Sequence, residues 1–276
     1  MIIYERNMIQ LKRIQAIIDH LSKSQILSVE DAVRVFKSSP ATIRRDFNKL
    51  ADEELVERVH GGVRLIEKGP GEMLPFELRE IQHSEEKRAI AAKAAELLQP
   101  RDVAIIDGGT TTAMLGACIP DIQLWIITNS VRLATILDSR PHHQARLEVY
   151  LTGGILYPHS GLLLGPTTRA SVSQYHAQWA FLSVGGITEK GISNTNELVA
   201  EAERAMIASA EKVVILADYS KIGRHAMCDV CPLSDIHVLI TNDWADNAPT
   251  LDKIAAAGVR ITTVPCQWAG PTKVAV

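Results

Sequence analysis

A cationic helical segment followed by a short alternating segment constrains the fold of this chain most, and it lies at residues 39–65. Ser39 precedes Pro40, which is typical of a helix N-terminus because the hydroxyl accepts a backbone hydrogen bond and proline lacks an unsatisfied N–H. Apolar residues at 43, 47 and 50 recur at helical spacing. Residues 55–65 then alternate on either side of His60-Gly61-Gly62, a pattern that indicates a β-hairpin.

A second helix is predicted immediately before this one, from Ser28 to Lys37. Ser28 and Asp31 have the spacing of a capping box, and the helical pattern breaks at Ser38 and Ser39. Two short helices joined by a short turn form a helix–turn–helix, to which the hairpin adds a wing. Apolar residues at helical spacing between Tyr4 and Ser22 predict a further helix packed beneath these two.

The predicted winged helix–turn–helix is a module for binding double-stranded operator DNA. A cationic helix can enter the major groove while a basic hairpin crosses the phosphates. We predict DNA contacts from Ser39, Thr42, Arg44, Arg45, Asn48, Lys49, Arg58, His60, Gly61 and Arg64. The plainer alternatives are a solvated surface helix and a hairpin in which His60 has no role beyond the surface.

Composition favours a soluble protein of the cytoplasm. The chain has 46% hydrophobic and 22% charged residues over 276 positions, and no apolar run reaches the length of a membrane span. Its first residues lack the order of a secretory signal. Cys228 and Cys231 form a CxxC without a second ligand pair, so an apolar structural role is favoured over a metal or redox role. Accordingly, neither a metal nor a cofactor is predicted.

Residues 67–83 are rich in glycine and proline and predict a linker between a head, residues 1–66, and a larger body, residues 84–276. In the body, short β-branched runs alternate with helical segments, which indicates an α/β fold with a mostly parallel sheet covered on both faces. The predicted strands are Val103–Ile106, Leu124–Ile127, Leu147–Leu151, Ala180–Val184, Val213–Ala217, Val238–Ile240 and Ile261–Val264. The predicted helices are Ser84–Leu98, Thr111–Ala117, Val131–Asp138, Leu198–Ser209 and Thr250–Ala257.

Small and hydroxyl residues follow five of these strands, at the sheet edge where open α/β folds bind ligands. Glycines allow an anion to approach the backbone, a helix N-terminus adds partial positive charge, and Lys221 supplies a cation. A carboxylate would repel phosphate, so Asp107 is expected to accept hydrogen bonds from sugar hydroxyls or to organise its loop. We predict a site for a small phosphorylated ligand formed by Asp107, Gly108, Gly109, Thr110, Thr111, Thr112, Thr128, Asn129, Ser130, Gly153, Gly154, Gly185 and Lys221. The alternative is that these are only tight turns.

With these motifs in place, the chain resembles the DeoR family of bacterial transcriptional regulators along nearly its whole length. The resemblance is carried by TIRRDFNKL and VERVHGG in the head, and by DGGTTT, ITNS, LTGG, ERAMI, LADYSK and PLSDI in the body, in the order of the family. It implies a body with the fold of ribose-5-phosphate isomerases and CoA transferases that senses phosphorylated sugars. It also implies a repressor of sugar or polyol operons, relieved by a pathway intermediate.

Departures from the family pattern lie at Glu54, where a glycine is frequent, at Gly108, and at residues 194–197. The first predicts a slightly different turn into the wing, and the last bears on which sugar is recognised. Because operators have two half-sites, we expect a homo-oligomer assembled through the body. The alternative function is an active isomerase or deaminase using Asp107, Glu197 or Glu201 as general base, although no tuned acid–base pair is evident.

Overall fold

The computed structural model describes residues 10–265 except 11–12, 15, 19, 22–23, 53, 67–75, 141–146 and 158–159, and the predicted helix over 4–22 lies partly outside these residues. The chain divides into two compact units, Met1–Gln82 and His83–Val276. In the first unit, residues 10, 13–14, 16–18, 20–21 and 24 are helical. Strand β1 (Ile26–Ser28), helices α1 (Val29–Phe36) and α2 (Pro40–Asp52), strands β2 (Val56–Val59) and β3 (Gly62–Leu65), and helix α3 (Phe76–Ile81) follow.

The caps of the two central head helices form as the sequence predicts. The Ser28 hydroxyl accepts from Asp31 N and donates to Asp31 Oδ2. The Ser39 hydroxyl accepts from Thr42 N at 3.2 Å. Ile43, Phe47 and Leu50 are buried in one cluster with residues of the other head elements. The predicted helix–turn–helix and its wing are therefore present. The caps and the periodic apolar face of the two helices predicted the same structure.

One head strand was not predicted. Strand β1 pairs antiparallel with β3, so the head sheet has the order β1-β3-β2. This pairing requires a glycine at 62, because a Cβ there would lie 2.3 Å from Leu27 O, whereas Gly61 is required by the turn itself, with φ +74°. Glu54, one of the departures from the family pattern, also takes a left-handed conformation with φ +54°. The turn into the wing thus places a residue with a Cβ in a conformation that glycine adopts at lower steric cost.

The body contains a seven-stranded sheet in which all described pairings are parallel, as predicted. Its strands are β4 (Val103–Ile106), β5 (Leu124–Thr128), β6 (Leu147–Leu151), β9 (Ala177–Ser183), β12 (Ala210–Leu216), β14 (Val238–Asn242) and β15 (Arg260–Val264). Their order is β15-β14-β12-β9-β4-β5-β6. The two central strands begin earlier than predicted because Ala210 pairs with Ala177 and Lys212 with Trp179.

Six helices of the described residues precede, connect or follow the strands of this sheet. They are α4 (Ser84–Ala95), α5 (Thr110–Cys118), α6 (Val131–Asp138), α7 (Pro166–Val172), α8 (Glu197–Ala208) and α9 (Ala248–Ala256). Two buried apolar clusters contain alternating residues of the central strands, such as Ile105 in one and Ile106 in the other. Since successive side chains of a strand point to opposite faces, the sheet is covered on both sides.

Smaller elements that were not predicted from the sequence connect the strands of this sheet. Strands β7 (Ile155–Tyr157) and β8 (Leu162–Leu164) form a hairpin, and β10 (Gly186–Thr188), β11 (Gly191–Asn194) and β13 (Cys228–Cys231) form a third sheet. Short 3-10 turns occupy Tyr219–Lys221, Leu233–Asp235 and Ala245–Asn247. Within the described residues, no helix has both the length and the apolarity needed to cross a membrane.

Candidate functional site

Helix α2 presents the cationic face expected of a recognition helix. Arg44, Arg45 and Asn48 are exposed, while Thr42 and Lys49 are half-buried. The first helical turn begins at Pro40 behind the Ser39 cap, so the arginines project from a helix whose other face is fixed in the head core. The predicted contact residues of α2 thus share one accessible surface.

The wing carries the remaining predicted DNA contacts. Arg58, His60 and Arg64 are exposed on β2, the turn and β3, respectively. Arg64 Nη1 lies 2.9 Å from Glu57 Oε1, and both side chains are about half exposed. An exposed pair of this kind contributes little to stability. The Arg64 guanidinium can therefore exchange Glu57 for a DNA phosphate at small cost.

Asp46 is a buried charge that the sequence analysis missed. Its side chain is fully buried on α2, where it accepts from Arg13 Nε at 2.5 Å and from Gln10 Nε2 at 3.0 Å. These bonds tie the recognition helix to the preceding helical residues. Its position in the sequence could have indicated this burial, since Asp46 is three residues after Ile43 and next to Phe47, both of which belong to the buried stripe.

In the body, the predicted effector residues all lie at the carboxyl ends of five neighbouring strands. The strands are contiguous in the order β12-β9-β4-β5-β6. Asp107 to Thr112 follow β4, Thr128 to Ser130 end β5 and lead into α6, Gly153 and Gly154 follow β6, Gly185 follows β9, and Lys221 lies in the turn after β12. Parallel strands bring all these loops to one edge of the sheet.

The first loop has the geometry of an anion cradle. Gly109 precedes α5, whose first residues, Thr110, Thr111 and Thr112, are buried. The first N–H groups of a helix have no acceptor within the helix, and the helix dipole places partial positive charge there. The loop can therefore bind a phosphate through backbone N–H groups at the N-terminus of α5.

Three of the predicted hydroxyls hold the loops in shape. Thr112 Oγ1 accepts from Gly109 N at 2.7 Å and lies 3.0 Å from Gly109 O, to which it donates. Thr128 Oγ1 accepts from Ser130 N, and Ser130 Oγ caps α6 by accepting from Leu133 N. These contacts orient the backbone donors of the strand ends.

The glycines of these loops are needed because neighbouring groups approach closely. A Cβ on Gly108 would lie 2.0 Å from Leu162 Cδ2, and one on Gly109 would lie 1.6 Å from Ser183 Oγ. Gly154, with φ +136°, has Thr168 against it, while Thr168 Oγ1 donates to Gly153 O at 2.7 Å. Hairpin β7–β8 and strand β9 thus pack directly against the cradle.

A second cation, Lys87, joins Lys221 near the end of β12 and was missed by the sequence analysis. Lys87 is buried on α4. The sequence could have indicated this burial, because Lys87 lies at helical spacing from the apolar residues Ile90, Ala91 and Ala94. Burial alone would raise the pKa of Asp218, but the charges of Lys221 and Lys87, together with the Ser220 hydrogen bond and the His83 charge, hold this pKa below its usual value. A carboxylate and two ammonium groups therefore lie at this strand end.

Aromatic residues adjoin these charges. The Tyr219 ring stacks on Trp244 with centroids 4.5 Å apart, and its hydroxyl lies 3.2 Å from His83 Nδ1. His83 is the first residue of the second unit and precedes α4 in a left-handed conformation. The turn that holds Lys221 is therefore hydrogen-bonded to the point where the chain enters the body.

The thiols have the surroundings of structural residues. Cys228 is buried and Cys231 is half-buried on β13, and burial raises the pKa of Cys231 to about 12. A thiol with so high a pKa is not ionised at neutral pH and is a poor nucleophile. Cys266 lies outside the described residues.

Two family models match this chain. The model described as the DeoR-like helix-turn-helix domain matches residues 13–69, and the model described as the DeoR C terminal sensor domain matches residues 82–243. These ranges correspond to the head and to most of the body.

Curated relatives cover nearly the full length of the chain. The HTH-type transcriptional regulator GlpR of Haloferax volcanii is 35% identical over 92% of this chain and 98% of its own. UlaR of Shigella dysenteriae is 33% identical over 93% and 100%, and YulB of Bacillus subtilis is 33% identical over 95% and 100%. All three are named as transcriptional regulators, which confirms the prediction of a regulator and not an enzyme.

Solved structures give weaker likenesses. The probable sor operon regulator from Shigella flexneri aligns with a TM-score of 0.39 and 14% identity over 61% of this chain and 88% of that chain. Ribose 5-phosphate isomerase A from Methanocaldococcus jannaschii aligns with a TM-score of 0.35 and 18% identity over 50% and 54%. At these scores the likeness does not bear on function.

Proposed function

This chain belongs to the DeoR family of transcriptional regulators, with a DNA-binding head and a sugar-phosphate sensor domain, and on that premise we propose that it represses an operon for the breakdown of a sugar or polyol. A phosphorylated sugar or polyol bound at the carboxyl edge of the body sheet releases the repression. The observation that carries this proposal is the convergence of five polar strand ends with a helix N-terminus and two lysines.

The effector's phosphate binds at the Gly108–Gly109 turn and the N-terminus of α5. Backbone N–H groups and the charges of Lys221 and Lys87 neutralise it. The hydroxyls of the sugar contact polar side chains of the neighbouring strand ends. The full set of proposed effector residues remains the one predicted from the sequence, with Lys87 added.

Binding at this edge affects DNA affinity through the chain segment that enters the body. A ligand shifts a conformational equilibrium only by its different affinity for the two states. The hydrogen bond between the Tyr219 hydroxyl and His83 gives a physical route, because movement of the Lys221 turn changes the position of His83. His83 directly follows the proposed linker, residues 67–83, whose first nine residues lie outside the described ones.

The protein acts as a homo-oligomer in the cytoplasm, with a head at residues 1–66 and a body at residues 84–276. Two heads bind the two half-sites of an operator, as two-fold symmetry requires. In each head, the exposed residues of α2 contact base edges and phosphates, and the wing contacts phosphates.

The DNA-binding part of this proposal is tested by replacing one cation of the recognition helix. Arg45→Ala should weaken operator binding in a fluorescence anisotropy titration and should lower the slope of log affinity against log salt by about one unit per lost phosphate contact. Arg88→Ala is the matched control, since Arg88 is an exposed arginine of the body paired with Glu85. Equal affinities and salt slopes for all three proteins would refute the assignment of α2.

The sensing part is tested by a thermal-shift screen. A panel of aldose, ketose and polyol phosphates is compared with the unphosphorylated compounds and with inorganic phosphate. A ligand that binds only the native state raises the unfolding temperature as its concentration rises. Stabilisation by at least one phosphorylated member, together with weaker operator binding in its presence, is the expected result. Saturable binding that leaves operator affinity unchanged would refute the switch.

A further inference from the structure

Glu203 is a fully buried carboxyl group that lies outside the set of effector residues predicted from the sequence. It lies on the inner face of α8, in register with Val199 and Met206. Asn194 Nδ2 donates to its Oε1 at 2.7 Å, whereas Oε2 is buried and has no hydrogen-bond partner among the described residues. A buried polar atom without a partner is costly, and in a native protein such an atom commonly marks a functional site.

This carboxyl group lies beside the candidate effector site. After burial itself, the charge that raises the Glu203 pKa most is that of Asp107, the first residue after β4. Ser183 Oγ donates to Asp107 Oδ2 at 3.3 Å and lies directly against Gly109 of the phosphate loop. The buried side chains of Asp107, Asn194 and Glu203 and the half-buried Ser183 therefore form one polar cluster next to Gly109.

The surroundings of Glu203 favour the protonated form of its carboxyl group. Burial and the adjacent Asp107 raise its pKa well above the usual value, and the Asn194 hydrogen bond and the Arg204 charge oppose this only in part. The Cys231 thiol also interacts with Glu203, but its own pKa is raised to about 12, so it adds no charge at neutral pH. Because Oε1 accepts from Asn194, the proton belongs on Oε2, which makes Oε2–H a hydrogen-bond donor.

We infer that Glu203 is a specificity residue of the effector site, whose Oε2–H group donates a hydrogen bond to a hydroxyl of the sugar or polyol part of the effector. The inference rests on the function proposed above and names a residue that selects its ligand. A neutral acid offers a donor without repelling the phosphate dianion. A site built to bind a hydroxyl rejects ligands that lack one, because its own polar group is then left unpaired.

The test compares two ligands on the full-length protein by calorimetry: inorganic phosphate and the phosphorylated compound that binds most tightly in the thermal-shift screen. In Glu203→Leu, affinity for the sugar phosphate should fall about tenfold, and affinity for inorganic phosphate should change less than twofold. Glu203→Gln keeps an acceptor for Asn194 and a donor at the Oε2 position, so it should retain sugar-phosphate affinity within about threefold. Glu211→Gln, the same change at an exposed residue near the amino end of β12, is the matched control.

A second measurement does not depend on the folding of the leucine variant. Infrared difference spectra should contain a protonated carboxyl band that is absent from Glu203→Gln. This band should shift when the sugar phosphate is added and should stay in place when inorganic phosphate is added. An unmoved band would mean that Oε2 is satisfied by a resident water, and it would overturn the inference.

The outcomes separate this inference from the proposed function. If the wild-type protein binds no phosphorylated compound, the proposed function fails. If the wild type binds one but Glu203→Leu weakens both ligands equally, Glu203 has only a structural role. In general, if the ratio of sugar-phosphate affinity to inorganic-phosphate affinity is the same in Glu203→Leu as in the wild type, the inference is overturned, whereas the proposed sensor function still holds.

Discussion

Replacing Asp46 by alanine tests how the recognition helix is held in place. Asp46 is fully buried and accepts hydrogen bonds from Arg13 and Gln10, and the Arg13 side chain is only 16% exposed. Removing one partner of a buried ion pair leaves the other charge uncompensated, at a cost of about 3–5 kcal/mol. Because Arg13 keeps some access to water, Asp46→Ala should destabilise the head by about 3 kcal/mol. For a domain of this size that is a fall in melting temperature on the order of 10–20 °C.

Native-state hydrogen exchange on the full-length protein is the appropriate assay. A chain with two compact units does not unfold as one cooperative system, whereas exchange of the α2 amides reports the opening of the head alone. The matched control is Arg34→Ala, which removes an ion pair with Asp31 whose side chains are 79% and 48% exposed. This control should change the free energy of opening by less than about 0.5 kcal/mol.

A double-mutant cycle decides whether the pair itself is responsible. If Asp46 acts through Arg13, the effects of Asp46→Ala and Arg13→Ala should be far from additive, because each removes the same interaction. Protection of the α2 amides that falls by less than about 1 kcal/mol in Asp46→Ala, or effects that simply add, would refute the reasoning. The same cycle measured through operator affinity would show how much of the anchoring is needed for DNA binding.

Three further outcomes follow from the body. Gly109→Ala should weaken phosphosugar binding at least tenfold in calorimetry, since its Cβ would lie 1.6 Å from Ser183 Oγ, and Ser183→Gly should restore part of the loss. Tyr219→Phe keeps the ring stack but removes the hydroxyl that reaches His83, so the ratio of operator affinities with and without effector should shrink severalfold, and an unchanged ratio would exclude this route. The pKa of Glu203 is raised in the folded protein, so its contribution to the free energy of unfolding is present below the usual glutamate pKa and is lost as pH rises through the raised one. The melting temperature of Glu203→Gln should lack this decline with pH. Parallel curves of melting temperature against pH for the two proteins would contradict the reasoning.

The sequence predicted the sheet well because each strand carries its own signal. Strands that are buried on both faces have short sequences rich in β-branched residues. All seven strands of the body sheet were predicted in chain order. Residues after the strands were correctly expected to meet at one edge, since the carboxyl ends of parallel strands lie together. The caps at Ser28 and Ser39 are equally local, because each depends on residues within one helical turn.

Pairings between distant segments were not predictable in this way. Strand β1 was missed because its three residues become a strand only by pairing with β3. Hairpin β7–β8 and the sheet of β10, β11 and β13 are likewise short, and their strands have no period long enough to recognise.

The same division applies to the charged residues of both sites. The sequence by itself determined a cationic helix with a wing and a parallel sheet whose strand ends suit an anion, because these depend on periodicity and on residues that are neighbours in the chain. Only the tertiary structure decided that Asp46, Lys87 and Glu203 are buried and which groups they face. A charge enters the interior only where distant segments supply its partners, and no local pattern contains those partners.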